Sequence, residues 1–146
     1  MNNSSNQSFT DAFRGIMTAL FLGIANSLVS LIFNIIYRYY GHDFSNDLIN
    51  VSYLIFGGLF VFFMIGLVYT GLHLITAKGD LIFILLFTAL TILIYVAIGS
   101  GHFATDPEEN LRFRGMLHGL TLITGISATA GIPYFYHNAA FREYVV

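Results

Sequence analysis

The sequence predicts an all-α polytopic membrane protein, a single domain of four transmembrane helices in an up-down bundle with short loops. Two observations lead to this prediction. The 146 residues are 56% hydrophobic and 10% charged, whereas soluble domains carry about 25% charged residues. Four segments, separated by polar or glycine-containing turns, are each apolar over close to the roughly 20 residues that a helix needs to cross a bilayer.

The first span covers about 12–39 and follows the polar stretch MNNSSNQSFTD. This stretch lacks the basic residues that begin a secretory signal, so we expect residues 1–10 to form a disordered tail and the span to stay in the membrane. The second span covers about 50–77. It ends at TAKGD, where Gly79 suits a helix terminator and Asp80 suits the N-cap of the next helix, which predicts a tight helical hairpin.

The third span covers about 81–98 and the fourth about 109–132. The fourth is introduced by DPEEN, in which Asp106 suits the N-cap, Pro107 fits the first helical position and Glu109 completes a capping box. The fourth helix is therefore expected to begin ahead of its apolar part, near residue 107.

The chain after the fourth span is too short for a fifth one. Pro133 ends or kinks the helix, and the aromatic residues of 133–146 favour the membrane interface. Four spans place both termini on one side, with Lys and Arg equally divided between the two sides. Most acidic residues lie on the opposite side, which favours cytoplasmic termini in a bacterial inner membrane. These acidic residues are Asp43, Asp47, Asp106, Glu108 and Glu109.

Composition and motifs argue against several functional classes. Six Lys and Arg against eight Asp and Glu form no basic surface for nucleic acid. The chain has no cysteine, which excludes disulfides and thiolate sites. It has no G-x-S-x-G and no glycine-rich phosphate loop, and no Asp or Glu lies deep in a span. We therefore expect no enzymatic activity and no cofactor.

Small and polar residues follow one side of the first span, within an arc of roughly 100°. Polar groups inside a bilayer need protein partners, and small residues let helices approach closely. These residues and the glycines of the second and fourth spans predict helix-packing faces. The leading function is association with itself as a homo-oligomer, with a partner membrane protein or with lipid. The predicted packing residues are Gly23, Asn26, Ser27, Ser30, Gly57, Gly58, Gly115 and Gly119.

One polar side chain from each span is expected at a similar depth in the membrane. For the first and fourth spans, this depth is about 8–14 Å from the helix end opposite the termini. These residues are Asn34, Tyr53, Tyr95 and His118. His118 is ionisable and lies well inside a span, which is a functional signal in a membrane. The alternative function is therefore a binder or carrier of a small apolar ligand in a pocket lined by these four, with Asn34 contacting His118.

The five histidines predict no metal or haem site. His42, His102 and His118 lie toward one side of the membrane, but no two have the spacing that marks a metal site. Metal handling is therefore only the second alternative function. Haem would need two ligands at one depth, whereas His73 and His118 lie near opposite faces. His73 belongs instead to the side of the termini, where His137 can also lie.

The stretches GIANSLVSLIFNIIY and MLHGL resemble a group of small, uncharacterised four-helix bacterial membrane proteins. In that group an Asn late in the first helix recurs, which would carry over to Asn34. An adjacent Met-His pair in the fourth helix also recurs, but here Leu117 separates Met116 from His118. The resemblance implies four helices and draws attention to Asn34 and His118, and it implies no activity.

Overall fold

The computed structural model describes residues 2–40 and 49–145, and within them the chain is helical and contains no strand. His42, Asp43 and Asp47, all expected in the first loop, lie outside this part. π-Helical turns form at Tyr53–Gly57 and at Ser127–Gly131. The helices are α1 (Asn2–Tyr39), α2 (Gly58–Ile75), α3 (Gly79–Ser100), α4 (Pro107–Ile126), α5 (Ile132–His137) and α6 (Ala139–Val145).

Among the described residues, four helical segments are long and apolar enough to cross a membrane: Thr10–Tyr39, Tyr53–Ile75, Gly79–Ser100 and Pro107–His137. This confirms the all-α class and the number of apolar helices predicted from the sequence. The N-terminal tail differs from the prediction, because α1 begins at Asn2 and residues 2–10 are helical. Extending an existing helix adds one hydrogen bond per residue, whereas starting one is the costly step, so the polar stretch continues the helix.

The fourth segment also runs beyond its expected end at residue 132, since α5 carries the helix to His137. Pro133 is the second residue of α5, and α5 directly follows the wide turn Ser127–Gly131. Because the helical path is continuous through this turn, the missing N–H of Pro133 falls within the segment. Pro133 nevertheless does not end the segment, which continues to His137, and the short helix α6 follows.

The two capping predictions have different outcomes. Asp106 accepts a hydrogen bond from the backbone N–H of Glu109 at 2.9 Å, and Pro107 is the first residue of α4, which confirms the predicted start. Asp80 is not a cap, because α3 begins at Gly79 and has no side-chain cap. The carboxylate of Asp80 is engaged by side chains of α2 and α5, described below, and this engagement overrides its local preference for capping.

Helix α1 packs most extensively against α2. The two backbones approach closely at Gly66, where an added Cβ would lie 2.6 Å from the Cβ of Ala19 and 3.4 Å from the Cα of Ile16. Only a residue without a side chain fits such a crossing.

The interior consists of two apolar clusters. One, near the α2–α3 hairpin and α5, includes Ala19, Leu22, Phe62, Ile65, Tyr69, Phe83, Ala128, Ile132 and Tyr136. The other, near the start of α4, is formed by Ile49, Phe113 and Met116, with Phe33, Tyr37, Leu54, Leu117 and Leu120 against it. On α1 the buried polar residues Asn26, Ser27 and Ser30 fall between the positions that enter the two clusters.

Candidate functional site

A cleft of about 450 Å³ lies between α2, α3 and the fourth segment. Its floor includes the buried residues Ile65, Gly125 and Ala128. Its rims are exposed apolar side chains of α2 and α3, such as Met64 and Leu90. Because the exposed lining residues belong to these two helices, the cleft opens outward between them. We call it the α2–α3 groove.

The groove forms because α3 packs against α2 at the hairpin end and against the fourth segment farther along. At the hairpin end the two helices touch, and the rings of Tyr69 and Phe83 meet edge to face with centroids 4.9 Å apart. Farther along, α3 packs against Gly125, where an added Cβ would overlap the side chain of Thr91. The space between α2 and α3 widens accordingly.

The groove offers few hydrogen-bonding groups to a ligand. Its polar side chains are Thr91, Thr121 and Thr124. The Thr91 hydroxyl donates to the carbonyl of Phe87 at 2.7 Å, and the Thr124 hydroxyl accepts from Asn26 Nδ2 at 3.4 Å. Two of the three hydroxyls thus have partners within the protein. The volume falls within the range of about 300–1,000 Å³ typical of ligand pockets, and the lining suits an apolar occupant.

None of the four residues predicted to form a pocket lines this groove. Tyr53 is 63% exposed on the outside of the molecule. Tyr95 and His118 do meet: their rings stack with centroids 4.1 Å apart, and His118 Nε2 lies 3.1 Å from the carbonyl oxygen of Tyr95. Asn34 Nδ2 is buried without a hydrogen-bond partner, and within the described part of the chain no hydrogen bond joins Asn34 to His118.

Most of the predicted packing residues lie inside the chain's own helix interfaces. An added Cβ at Gly23 would lie 2.9 Å from the Cβ of Phe62, and one at Gly58 would lie 2.6 Å from Ser27 Oγ. The Ser27 hydroxyl donates to the carbonyl of Ile55 at 3.5 Å. These contacts join α1 to α2 and to the π-helical turn before it.

The glycines of α4 face α1 in the same way. Gly115 lies against the hydroxyl of Tyr37 and Gly119 against the ring of Phe33, and each leaves no room for a Cβ. Gly57 behaves differently, since nothing lies within 4 Å of the position that its Cβ would take. Gly57 therefore contributes no close approach between helices.

A second group of polar side chains lies at the α2–α3 hairpin end. His73 of α2, Asp80 of α3 and His137 of α5 place one potential ligand atom each within 4.8 Å of one another. His137 Nε2 is 2.8 Å from Asp80 Oδ2, and His73 Nδ1 is 3.8 Å from Asp80 Oδ1. We call these three residues the hairpin cluster.

Neighbouring aromatic and basic residues fix the hairpin cluster. The buried Tyr69 hydroxyl donates to Asp80 Oδ1 at 2.5 Å, and the Tyr69 ring stacks on that of His73. The Arg14 guanidinium donates to the carbonyl of Tyr136 and lies 4.1 Å from the centroid of its ring. Arg14 thereby ties α1 to the residue that precedes His137.

Sequence reasoning missed the groove and placed only part of the hairpin cluster. The groove lining consists mostly of ordinary apolar side chains with three Thr, and such residues look the same in a sequence whether they face lipid or a cleft. His73 and His137 were expected on one side, but Asp80 was interpreted as a cap. The TAKGD turn carried the missing signal, because a tight hairpin brings the first turn of α3 back to the last turn of α2.

No protein-family model, curated protein or solved structure matches the chain.

Proposed function

We propose that the protein is an integral membrane protein that binds a lipid-derived apolar chain in the α2–α3 groove. The observation that carries this proposal is the groove itself, about 450 Å³ of apolar space that opens between two exposed helices. This is the alternative function expected from the sequence, a binder or carrier of a small apolar ligand, with a different set of lining residues.

The proposal places the four apolar segments across a bacterial cytoplasmic membrane in up-down order, with both termini inside. Contacts at both ends of α1 support an antiparallel arrangement with the fourth segment. Arg14, near the start of α1, bonds the carbonyl of Tyr136 near the end of that segment. Tyr37, near the end of α1, donates to the carbonyl of Arg112 near its start at 2.8 Å.

In this arrangement the groove faces hydrocarbon near the middle of the membrane. Its α2 wall runs from Phe60 to Val68, about 12 Å along the helix axis. A chain entering sideways from the bilayer gains little hydrophobic free energy, because lipid tails are as apolar as the groove. Binding must come from close packing, so we expect selectivity for the shape of the occupant.

Association through the small-residue faces, the leading expectation from the sequence, has less support. Gly23, Gly58, Gly115 and Gly119 contact neighbouring helices of the same chain, and Asn26 is buried. Residues used inside one bundle are not available to a second copy or another protein.

Native mass spectrometry of the full chain released from mild detergent tests the proposal. We expect the wild-type protein to retain a stoichiometric lipid mass. Leu90→Trp puts a larger side chain on the groove wall and should weaken lipid binding about tenfold, equivalent to about 1.4 kcal/mol of binding free energy, which lowers the retained fraction.

Leu85→Trp is the matched control, because Leu85 is 63% exposed on the same helix and does not line the groove. It lies five residues before Leu90, about 140° around the helix axis, and should retain the lipid mass. Absence of any retained mass in the wild type, or equal loss in the two variants, would contradict the proposal.

A further inference from the structure

We propose that His73, Asp80 and His137 bind a divalent transition-metal ion, with Zn²⁺ the best match. The proposal stands on the geometry of the hairpin cluster and does not depend on the occupant of the groove. It goes against the sequence expectation of no metal site, which followed from spacing along the chain. The three residues come from three separate helices, so spacing could not reveal them.

The distances within the hairpin cluster suit a tetrahedral ion. Zinc binds histidine nitrogen and carboxylate oxygen at about 2.0–2.2 Å, which places any two ligand atoms of a tetrahedral site about 3.4 Å apart. The separations from His137 Nε2 to Asp80 Oδ2 (2.8 Å) and from His73 Nδ1 to Asp80 Oδ1 (3.8 Å) lie on either side of this value. The three ligand atoms lie within 4.8 Å of one another, so rotations of the side chains would bring them around one ion.

An ion pair between Asp80 and His137 leaves one feature of His73 unexplained. Its Nδ1 atom is buried and has no hydrogen-bond partner. A buried nitrogen without a partner costs free energy, and a bound ion is one of the features that explain such an atom. The pair formed by Asp80 and His137 satisfies those two residues, whereas a metal ion between the three would satisfy His73 as well.

The surroundings also resemble those of a metal site. Ligating carboxylates are usually held by a hydrogen bond from a second residue, and the Tyr69 hydroxyl does this for Asp80. Gly79 lets α3 start against α2, since an added Cβ there would lie 2.9 Å from both the Cα and the Nδ1 of His73. Arg14 holds the backbone next to His137.

Two histidines and one carboxylate define the class of ion. Nitrogen and oxygen ligands suit Zn²⁺ and neighbouring first-row metals, whereas the oxygen-preferring Mg²⁺ and Ca²⁺ do not select histidine. Three protein ligands leave one position of a tetrahedral ion for water or a small anion. The His137 side chain is 54% exposed, so the ion can enter from the aqueous side of the hairpin.

The test measures Zn²⁺ binding to the full chain, purified in detergent with an affinity tag that contains no histidine. After removal of metal with a chelator, dialysis against Zn²⁺ and elemental analysis should give one zinc per chain. We expect Asp80→Asn, which keeps an acceptor for Tyr69, and His137→Gln to weaken binding at least 100-fold. Tyr69→Phe keeps all three ligands and should weaken it about 10–100-fold.

His102→Gln is the matched control, because His102 is exposed and lies outside the cluster; its zinc content should equal that of the wild type. Circular dichroism checks that each variant is folded. If a ligand variant unfolds, Co²⁺ titration of the wild type decides, since a tetrahedral site gives intense visible absorption and a hydrated ion does not. No zinc in the wild type, unchanged binding in folded ligand variants, or the Co²⁺ spectrum of a hydrated ion would overturn the proposal.

Discussion

The buried polar residues of α1 make long, weak hydrogen bonds. Asn26 and Ser27 are buried, and their hydrogen bonds to Thr124 and Ile55 are long, at 3.4 and 3.5 Å. Asn26 Oδ1 has no partner. Interhelical hydrogen bonds in membranes average about 0.6 kcal/mol. These residues therefore determine which face of α1 turns inward more than they add to stability.

Tyr95 and His118 offer a direct test of side-chain pairing. We expect Tyr95→Leu and His118→Leu to be non-additive in the free energy of unfolding, with a coupling of about 0.5–1.5 kcal/mol, because the stacked rings interact beyond their buried area. A double-mutant cycle on unfolding in detergent measures this coupling.

The matched cycle combines Asn34→Leu with His118→Leu. Within the described part of the chain no hydrogen bond or ring contact joins these two residues, so we expect a smaller coupling than for Tyr95 and His118. A coupling confined to the Asn34 cycle would favour the pairing expected from the sequence over the one in the structure.

The difference between the two pairings shows what a sequence conveys about a membrane site. Depth follows from counting residues, and the side of a helix follows from its 100° steps. How far each helix is rotated relative to its neighbours follows only from packing across the bundle. Depth alone predicts that Asn34 contacts His118. In the structure, the ring of His118 stacks on that of Tyr95 in α3.

At the scale of elements, α1 and α2 cross with their backbones close together at Gly66. Gly66→Ala should destabilise the protein by about 1–3 kcal/mol, because the new methyl group meets Ala19 Cβ and the backbone of Ile16. The midpoint of chemical or thermal unfolding, followed by circular dichroism, measures the change.

Gly71→Ala is the control on the same helix. Nothing lies within 4 Å of the position that its Cβ would take, so alanine should be neutral or should stabilise the helix by up to about 1 kcal/mol. Equal destabilisation by the two substitutions would mean that the close crossing at Gly66 is not the cause.

Helix positions were more predictable than helix ends. Long apolar runs identify four helices because no other element satisfies its backbone in so apolar a stretch, and DPEEN located the start of α4 through local hydrogen bonding. The helical N-terminal stretch and the two π-helical turns were not predicted. They depend on continuation from a packed helix and on contacts with neighbours, which local patterns do not record.

At the scale of the whole molecule, the proposed arrangement in a membrane can be tested at its loops. The chain has no cysteine, so single cysteines report without background. We expect Thr105→Cys, between α3 and α4, to react with a membrane-impermeant maleimide in intact cells. Ala77→Cys, between α2 and α3, should react only after permeabilisation.

Both positions lie in turns between helices, and both Thr105 and Ala77 are exposed. They therefore serve as controls for each other. Labelling of the two from the same side would contradict the up-down order, and labelling with the sides exchanged would reverse the proposed orientation alone.

The wide turn Ser127–Gly131 stands between Gly125 of the groove and His137 of the hairpin cluster on one continuous helical path. A π-helical turn holds about one residue more than an α-helical turn, so removing one residue from it leaves an α-helical turn of similar rotation. Such a deletion should therefore keep His137 near Asp80, whereas the same deletion within α4 would rotate His137 by about 100° around the helix axis. The turn thus makes the position of one proposed metal ligand tolerant of a change in chain length, in a segment that also contributes Ala128 to the groove.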